Sequence, residues 1–251
     1  SVLVAGGIER PIEENSLPFL LKILTAEKGL SIQAHPDKAI AREGFEREDA
    51  AGIAIDAPHR NYRDTNHKPE LICAIDEFWG LRGFRPFHLI AEDFRNWLGE
   101  NDQLPRDLLD ATHAFYRRPD EQQWKALFTL LLEYGEDRQV RRRLVDSVAT
   151  YARTKSSRAE EARSNVRDDR YWWILELQRQ FPNDPGTIAP LYLNLVHLRP
   201  GDAIYLGART LHAYLYGAGI EIMANSDNVL RSGCTTKHVD IAELQRVLMF
   251  G

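Results

Sequence analysis

The sequence has few residues that could cross-link it and no run that could cross a membrane. Cys73 and Cys234 are its only cysteines among 251 residues, and neither belongs to a CxxC pair. This excludes a disulfide framework and a cysteine-based metal or redox motif, so we expect two buried free thiols in a reducing compartment. The apolar runs are all far shorter than the about 20 residues that a transmembrane helix needs. We therefore expect no membrane partner.

A basic leader and a basic surface are also missing. No positively charged stretch followed by an apolar one opens the sequence, so we expect a cytoplasmic protein without a secretory signal. Lys and Arg number 32 against 37 Asp and Glu, which gives a formal net charge of −5. This acidic balance argues against nucleic-acid binding, which requires a basic surface. We expect a monomer whose partner is a small molecule.

The residue pattern divides the chain into three stretches. Residues 1–86 and 181–251 contain short apolar runs between turn residues, which is typical of strands. Residues 87–180 have few glycines, many charges and apolar side chains at three- and four-residue spacings, which is typical of amphipathic helices. Those apolar positions are Trp97, Leu108, Leu109, Phe115, Trp124, Leu127, Leu130 and Leu131. The pattern predicts a mainly β domain interrupted by a helical insert.

Turn signals and apolar runs also predict individual elements. The basic run 138–143 is interpreted as a solvated helix face. Residues 55–69 have little apolar periodicity and predict a loop, whereas 38–49 predicts a charged helix or turn. Strands are predicted at 19–24, 30–34, 71–75, 78–81, 191–198, 203–206 and 220–224.

Gln33 and His35 form the first polar constellation, in the run Ser31-Ile32-Gln33-Ala34-His35-Pro36. On a strand, alternate side chains share a face, so Ser31, Gln33 and His35 point one way. Two such donors suit a metal ion at the end of a strand that Pro36 terminates. A surface polar pair is the alternative.

Lys68 and Glu70 form the second constellation. Pro69 favours extended geometry at Lys68, which places the side chains of Lys68 and Glu70 on one face. The pair is either a surface ion pair, which contributes little stability, or a metal-binding carboxylate beside a substrate-binding cation.

His212 belongs to the third constellation. A Pro200-Gly201 turn, a short strand and a second turn precede it, and His212 shares a face with Tyr214 on an otherwise apolar strand. A hydrogen-bonded core histidine is one interpretation and a metal ligand the other. The spacing resembles the second metal-binding motif of cupin barrels, which are small jelly rolls that hold one metal inside.

Together these sites offer two imidazoles, one amide and one carboxylate, from His35, His212, Gln33 and Glu70. With a divalent ion, the set leaves about one net positive charge and open positions for water, as in catalytic sites. Zinc suits the nitrogen and oxygen donors best, and manganese, iron or cobalt would also suit them.

Three long runs resemble the type I phosphomannose isomerases, zinc enzymes that interconvert mannose 6-phosphate and fructose 6-phosphate. They are LSIQAHPDK, NYRDTNHKPEL and HAYLYGAGIEIMANSDNVLRSGCTTK. The resemblance implies a cupin (jelly-roll) barrel interrupted by a helical domain, with one zinc ion on Gln33, His35, Glu70 and His212. It also implies a catalytic role for Arg231, substrate roles for Lys68 and Lys237, and a pocket lined by Ser31, Tyr214, Glu221 and Asp227.

The implied reaction moves a carbonyl between C1 and C2, so it needs a base and stabilisation of an enediolate. Arg231 stays protonated, which suits an electrostatic stabiliser or a phosphate anchor rather than the base. Lys237 would act as a point charge for phosphate. The identity of the base stays open: Glu221 is one candidate, with Lys68, His67 and Asp227 as rivals.

Four of these residues also have a structural interpretation. Glu221 could be a carboxylate that orients a metal ligand, and Arg231 could form an ion pair with Asp227. Ser31 and Tyr214 could serve packing alone.

The sequence departs from the family in two ways. Family members begin with a segment carrying a Y-A-W-G signature and continue past the position of Phe250 into a second barrel. Neither is found in this sequence, so we expect a fragment or a truncated form. The competing hypotheses are another cupin metalloenzyme, such as an oxygenase or another sugar isomerase, and a non-catalytic module that binds metal and sugar.

Overall fold

The computed structural model describes residues 17–99, 103–156 and 165–250. The first 16 residues, which the sequence assigns to the first β stretch, lie outside the described residues. The strands are β1 (Phe19–Ala26), β2 (Ile32–Ala34), β3 (Glu70–Ala74), β4 (Phe78–Phe84), β5 (Leu193–Leu198), β6 (Ala203–Leu206), β7 (His212–Ala224) and β8 (Leu230–Gly233). The helices are α1 (Lys38–Ala50), α2 (Phe87–Leu98), α3 (Arg106–Arg117), α4 (Glu121–Glu136), α5 (Arg138–Ser156), α6 (Arg170–Gln180), α7 (Ala189–Tyr192) and α8 (Ile241–Val247). Short 3₁₀ turns cover Val166–Asp168 and Pro185–Ile188.

Strand β7 is shared by two antiparallel sheets. Its first half pairs with β2 and β4, and its second half pairs with β1 and β3. The strands β8, β5 and β6 extend the sheets from β2, β4 and β3 respectively. The change of sheet occurs around Gly217, which has a φ of 119°. A Cβ there would lie 2.6 Å from the carbonyl oxygen of Glu77, so the bend requires glycine.

The two faces of β7 contact different groups of apolar residues. Tyr214 packs in a small interior cluster with Ile72, Phe78 and Leu206, residues of the strands β3, β4 and β6. Leu211 and Leu215 lie on the opposite face, in a larger cluster with the helices. His212 therefore points to the interior of the β domain, as its shared face with Tyr214 predicts.

The helices between residues 87 and 180 pack on the outer face of this domain around Trp124. The Trp124 ring lies 5.4–5.6 Å, centroid to centroid, from five other aromatic rings. Three belong to the helices α2, α3 and α4, Phe84 is the last residue of β4, and Tyr192 ends α7 directly before β5. The helices and the sheet thus share one continuous apolar core. The rings around Trp124 are those of Phe84, Phe94, Phe115, Phe128 and Tyr192.

Side-chain caps explain where several of these helices begin. Asp37, Asp120 and Asp169 each accept a hydrogen bond from a backbone N–H of the first turn, at the start of α1, α4 and α6 respectively. Such caps satisfy donors that the helix itself leaves unpaired.

Several strand boundaries and one cysteine differ from the sequence predictions, and the strand predicted at 220–224 is the end of the longer strand β7 (His212–Ala224). The strand predicted at 191–198 begins at Leu193, because Pro190 favours the first turn of the short helix α7. The strand predicted at 30–34 begins at Ile32. Both cysteines are free, but only Cys234 is buried; Cys73 is half-buried. Among the described residues, no helix is long and apolar enough to span a membrane.

Because Trp124 joins the helices to the sheet, its removal should destabilise the whole chain. We expect Trp124→Ala to lower the free energy of unfolding by about 3–5 kcal/mol, as is typical of a buried tryptophan, in a single denaturant transition monitored by circular dichroism. Leu89→Ala, at a partly exposed position on α2, should cost below about 1 kcal/mol. Two separate transitions would contradict a shared core.

Candidate metal centre

Three buried side chains meet inside the β domain. They are His35, which follows β2, Glu70, the first residue of β3, and His212, the first residue of β7. One ligand atom from each lies within 4.8 Å of the others. Their exposed fractions are 2%, 2% and 1%. We call this group the His35–Glu70–His212 cluster.

Backbone carbonyls orient both imidazole rings. His35 Nδ1 lies 2.7 Å from the carbonyl oxygen of Asn228, and His212 Nδ1 lies 2.9 Å from that of Thr210. A carbonyl can only accept, so each Nδ1 carries the proton, and in a neutral ring Nε2 keeps its lone pair. These lone pairs face Glu70, whose oxygens lie 3.2 Å from His35 Nε2 and 3.3 Å from His212 Nε2.

The electrostatics of the cluster favour neutral His35 and ionised Glu70. Burial lowers the pKa of His35, although contact with the Glu70 carboxylate opposes this shift. Burial alone would raise the pKa of Glu70, and positive partners at its oxygens, such as protonated imidazoles or a cation, hold that pKa below its ordinary value.

The cluster therefore brings acceptors together without a donor between them. His35 Nε2, His212 Nε2 and Glu70 Oε2 are buried and make no hydrogen bond. Unpaired buried polar atoms of this kind are costly. A divalent cation would satisfy all three atoms, and two imidazoles with one carboxylate are a common zinc ligand set.

Gln33 lies beside this cluster in a row across three strands. It is directly opposite His212 of β7 on one side and Arg231 of β8 on the other. Opposite residues of antiparallel strands share a face, with Cβ atoms about 4.5–5.5 Å apart. The hydroxyl of Ser31 donates a hydrogen bond to Gln33 Oε1 at 3.3 Å. The structure thus places Gln33 next to His212 and Arg231 next to Gln33.

Glu221 and Tyr214 extend the interior site towards β1. The Tyr214 hydroxyl donates a hydrogen bond to Glu221 Oε1 at 2.9 Å. Burial and the nearby charge of Glu70 raise the pKa of Glu221. Lys22 of β1 is directly opposite Glu221, on the same face. Lys22 is not among the residues predicted from the sequence, although a lone lysine inside the apolar run FLLKIL is a usable signal.

The remaining candidate residues lie at different distances from the cluster. Lys68 Nζ is 3.4 Å from Glu70 Oε1, so the predicted shared face is observed, and His67 is its half-buried neighbour in the chain. Arg231 is half-buried, and burial together with the charge of Arg63 lowers its pKa. In the described part of the chain Arg231 makes no ion pair with Asp227, which is exposed.

Lys237 is separated from these side chains. It is exposed in the turn between β8 and α8 and lines a cavity with Glu136 and Arg141 of the helices. Within the described ranges its ammonium group makes no contact with the His35–Glu70–His212 cluster. The structure therefore brings together Ser31, Gln33, His35, Lys68, Glu70, His212, Tyr214, Glu221 and Arg231, but not Lys237.

The chain is similar to several known proteins. Residues 8–87 match the family model described as phosphomannose isomerase type I, catalytic domain. The mannose-6-phosphate isomerase of Escherichia coli K12 is 40% identical over 245 residues, covering 97% of this chain and 56% of the relative. Mannose-6-phosphate isomerase 1 of Arabidopsis thaliana is 36% identical over 240 residues, covering 93% and 51%.

The chain is thus similar to the type I phosphomannose isomerases over almost its whole length. Solved structures agree: a zinc-bound mannose 6-phosphate isomerase matches with a TM-score of 0.78 and 37% identity, over 95% of this chain and 56% of that one. The apo form from Salmonella typhimurium matches with a TM-score of 0.80 and 36% identity, with the same coverage. The prediction of a cupin barrel with a helical insert is confirmed. The chain spans about half the length of the curated phosphomannose isomerases it matches.

Removing one imidazole should greatly weaken metal binding. We expect His212→Ala to weaken zinc binding by more than the roughly 10–100-fold typical of residues that only orient a ligand, measured by competition with a chromogenic chelator. His113→Ala, at an exposed histidine of α3, should leave the zinc affinity unchanged. Equal affinities of both variants would show that zinc binds elsewhere.

Proposed function

We propose that this chain is a zinc-dependent aldose–ketose isomerase that interconverts mannose 6-phosphate and fructose 6-phosphate. The observation that carries the proposal is the buried His35–Glu70–His212 cluster, in which three acceptor atoms face one another without a donor. Lys68 and Arg231 next to it favour an anionic substrate, and the family relatives are mannose-6-phosphate isomerases.

Gln33, His35, Glu70 and His212 would hold the zinc ion. When bound, the ion would act as a Lewis acid towards the sugar oxygens at C1 and C2. The carboxylate of Glu70 would be the only charged ligand, so the ion would keep about one net positive charge. Hydrogen bonds to the carbonyls of Asn228 and Thr210 keep both Nε2 atoms directed at the site.

Arg231 would stabilise negative charge or anchor the phosphate. Its guanidinium stays protonated at neutral pH. It is half-buried and unpaired with any carboxylate of the described residues, which leaves its donors free for an anion. We propose that Lys68, whose ammonium group contacts Glu70, supplies a second positive charge near the reacting carbons.

Glu221 has properties suited to the proton transfer between the two carbons. In the forward direction a carboxylate takes the proton from C2, an enediolate forms, and the proton returns to C1 while the O2 hydroxyl proton moves to O1. Burial and the charge of Glu70 raise the pKa of Glu221 towards the working range of a general base. Tyr214 holds the carboxylate by a hydrogen bond. His67, Lys68 and Asp227 remain the rival bases.

A non-catalytic metal- and sugar-binding module is the second candidate. The specific observation in its favour is that the chain spans about half of its relatives' length. Purified chain should convert mannose 6-phosphate to fructose 6-phosphate, lose this turnover with a chelator and regain it with added zinc. A folded, zinc-loaded chain without turnover would favour the binding module.

We also propose the domain division that the sequence suggests, with a barrel of residues 1–86 and 181–251 and an insert of residues 87–180. The positions of α2 to α6, all inside 87–180, support it. A cytoplasmic monomer acting on a free phosphosugar accords with the acidic net charge.

Arg231 should matter for turnover but not for the metal. We expect Arg231→Ala to keep its zinc and to lose about 10²–10³-fold in kcat, the usual effect of removing one stabilising donor, in a coupled isomerase assay with parallel zinc analysis. The matched control is Arg179→Ala, at an exposed arginine of α6, which should retain the wild-type rate. Near-normal turnover of Arg231→Ala would refute its assigned role.

A further inference from the structure

A buried hydrogen-bond network joins the two loops that flank the candidate metal centre. One loop, residues 60–69, contains Lys68 and leads to Glu70, and the other, residues 225–229, leads to β8 with Arg231. Neither loop has regular secondary structure. Three side chains connect them, those of Asp64, Ser226 and Asn228, and we call these the loop network.

Asn228 is fully buried, with an exposed fraction of 0%, and its amide is directed at the first loop. Its Oδ1 accepts hydrogen bonds from the backbone N–H groups of Arg63 at 2.7 Å and Asp64 at 3.2 Å. Its Nδ2 donates to the carbonyl oxygens of Asp64 at 2.8 Å and Asn66 at 2.9 Å. Both the donors and the acceptor of this amide are therefore committed.

Asp64 binds the second loop in return. Its carboxylate accepts hydrogen bonds from the Ser226 hydroxyl at 2.9 Å and from the backbone N–H of Asp227 at 2.8 Å. It also accepts one from the backbone N–H of Asn66 at 2.8 Å. Hydrogen bonds to an ionised acceptor are stronger than neutral ones, so Asp64 holds both loops firmly.

The loop network also touches the metal centre through the backbone. The carbonyl that orients His35 is that of Asn228 itself, 2.7 Å from His35 Nδ1. A shift of Asn228 would therefore turn the His35 ring and displace its Nε2 atom from the site. The same shift would move the start of β8, and with it Arg231.

We infer that Asp64, Ser226 and Asn228 are positioning residues that set the zinc affinity of the centre by fixing the Asn228 carbonyl and the loop before Glu70. This inference rests on the metal site of the proposed function. The positioning role differs from a purely structural one. Residues that only stabilise the fold would change the free energy of unfolding without changing the zinc affinity of the folded protein.

The variant Asn228→Asp separates the two roles. It is nearly isosteric, but it replaces the Nδ2 donor by an oxygen that faces the carbonyls of Asp64 and Asn66. The added negative charge alone would strengthen zinc binding. Displacement of the Asn228 carbonyl should instead weaken it, by about 10–100-fold, as is typical when the residues that orient a ligand are changed.

Zinc affinity would be measured by chelator competition, at a temperature where a melting curve shows every variant folded. The matched control is Asn225→Asp, which makes the same charge change at an exposed position of the same loop; its affinity should equal or slightly exceed that of the wild type. Unchanged or tighter binding by folded Asn228→Asp would overturn the inference.

Three further outcomes are also decisive. If Asn228→Asp does not fold, Ser226→Ala, which removes only the hydroxyl that binds Asp64, decides: weaker zinc binding supports the inference and unchanged binding overturns it. A wild-type chain that binds zinc but lacks turnover would refute the proposed isomerase and leave this test intact. A wild-type chain that binds no zinc would overturn both.

Discussion

The buried carboxylate of Glu70 is the constraint on which the rest of the site depends. It faces two imidazole nitrogens at 3.2 Å and 3.3 Å, and the other nitrogen of each ring is bound to a backbone carbonyl. The two rings cannot turn away without losing those bonds, and the carboxylate is inaccessible to water. A cation is therefore the simplest partner that satisfies all three groups. The strands β2, β3 and β7 each deliver one member at or next to a strand end, where the ladder no longer limits the side chain.

Strand β7 shows why the interior site needs a distorted strand. Tyr214 and Glu221 are seven residues apart, and an odd spacing on a regular strand would place their side chains on opposite faces. They nevertheless share a hydrogen bond of 2.9 Å. The register of β7 against β4 is irregular, and Gly217 adopts a positive φ between the two residues. The bend moves β7 from one sheet to the other and returns its second half to the same interior. One strand can thus carry His212, the proposed metal ligand, at its start and Glu221, the proposed base, near its end.

Local alternation made part of the site predictable from the sequence. The shared face of His212 and Tyr214 and that of Lys68 and Glu70 follow from a two-residue period, and the structure places each pair as expected. Periodicity could not predict contacts across a bend, such as that between Tyr214 and Glu221. It also could not predict the loop network, because Asp64 and Asn228 are far apart in the chain and lie in segments without a period. The separation of Lys237 from the cluster has the same cause: the turn after β8 leads it away from the strand face that carries Arg231.

The distribution of charge adds a last argument about the ligand. The chain is acidic overall, with a formal net charge of −5, yet the face around the cluster carries Lys22, Lys68 and Arg231. Among the described residues, Glu70 and Glu221 are the carboxylates that face this interior, fewer than the three cations. A divalent ion on Glu70 would make the excess of positive charge larger still. Such an excess in a partly buried site is costly unless an anion compensates it. A sugar without a phosphate would leave that charge uncompensated, whereas a phosphosugar would neutralise it and gain charge-assisted hydrogen bonds from Arg231.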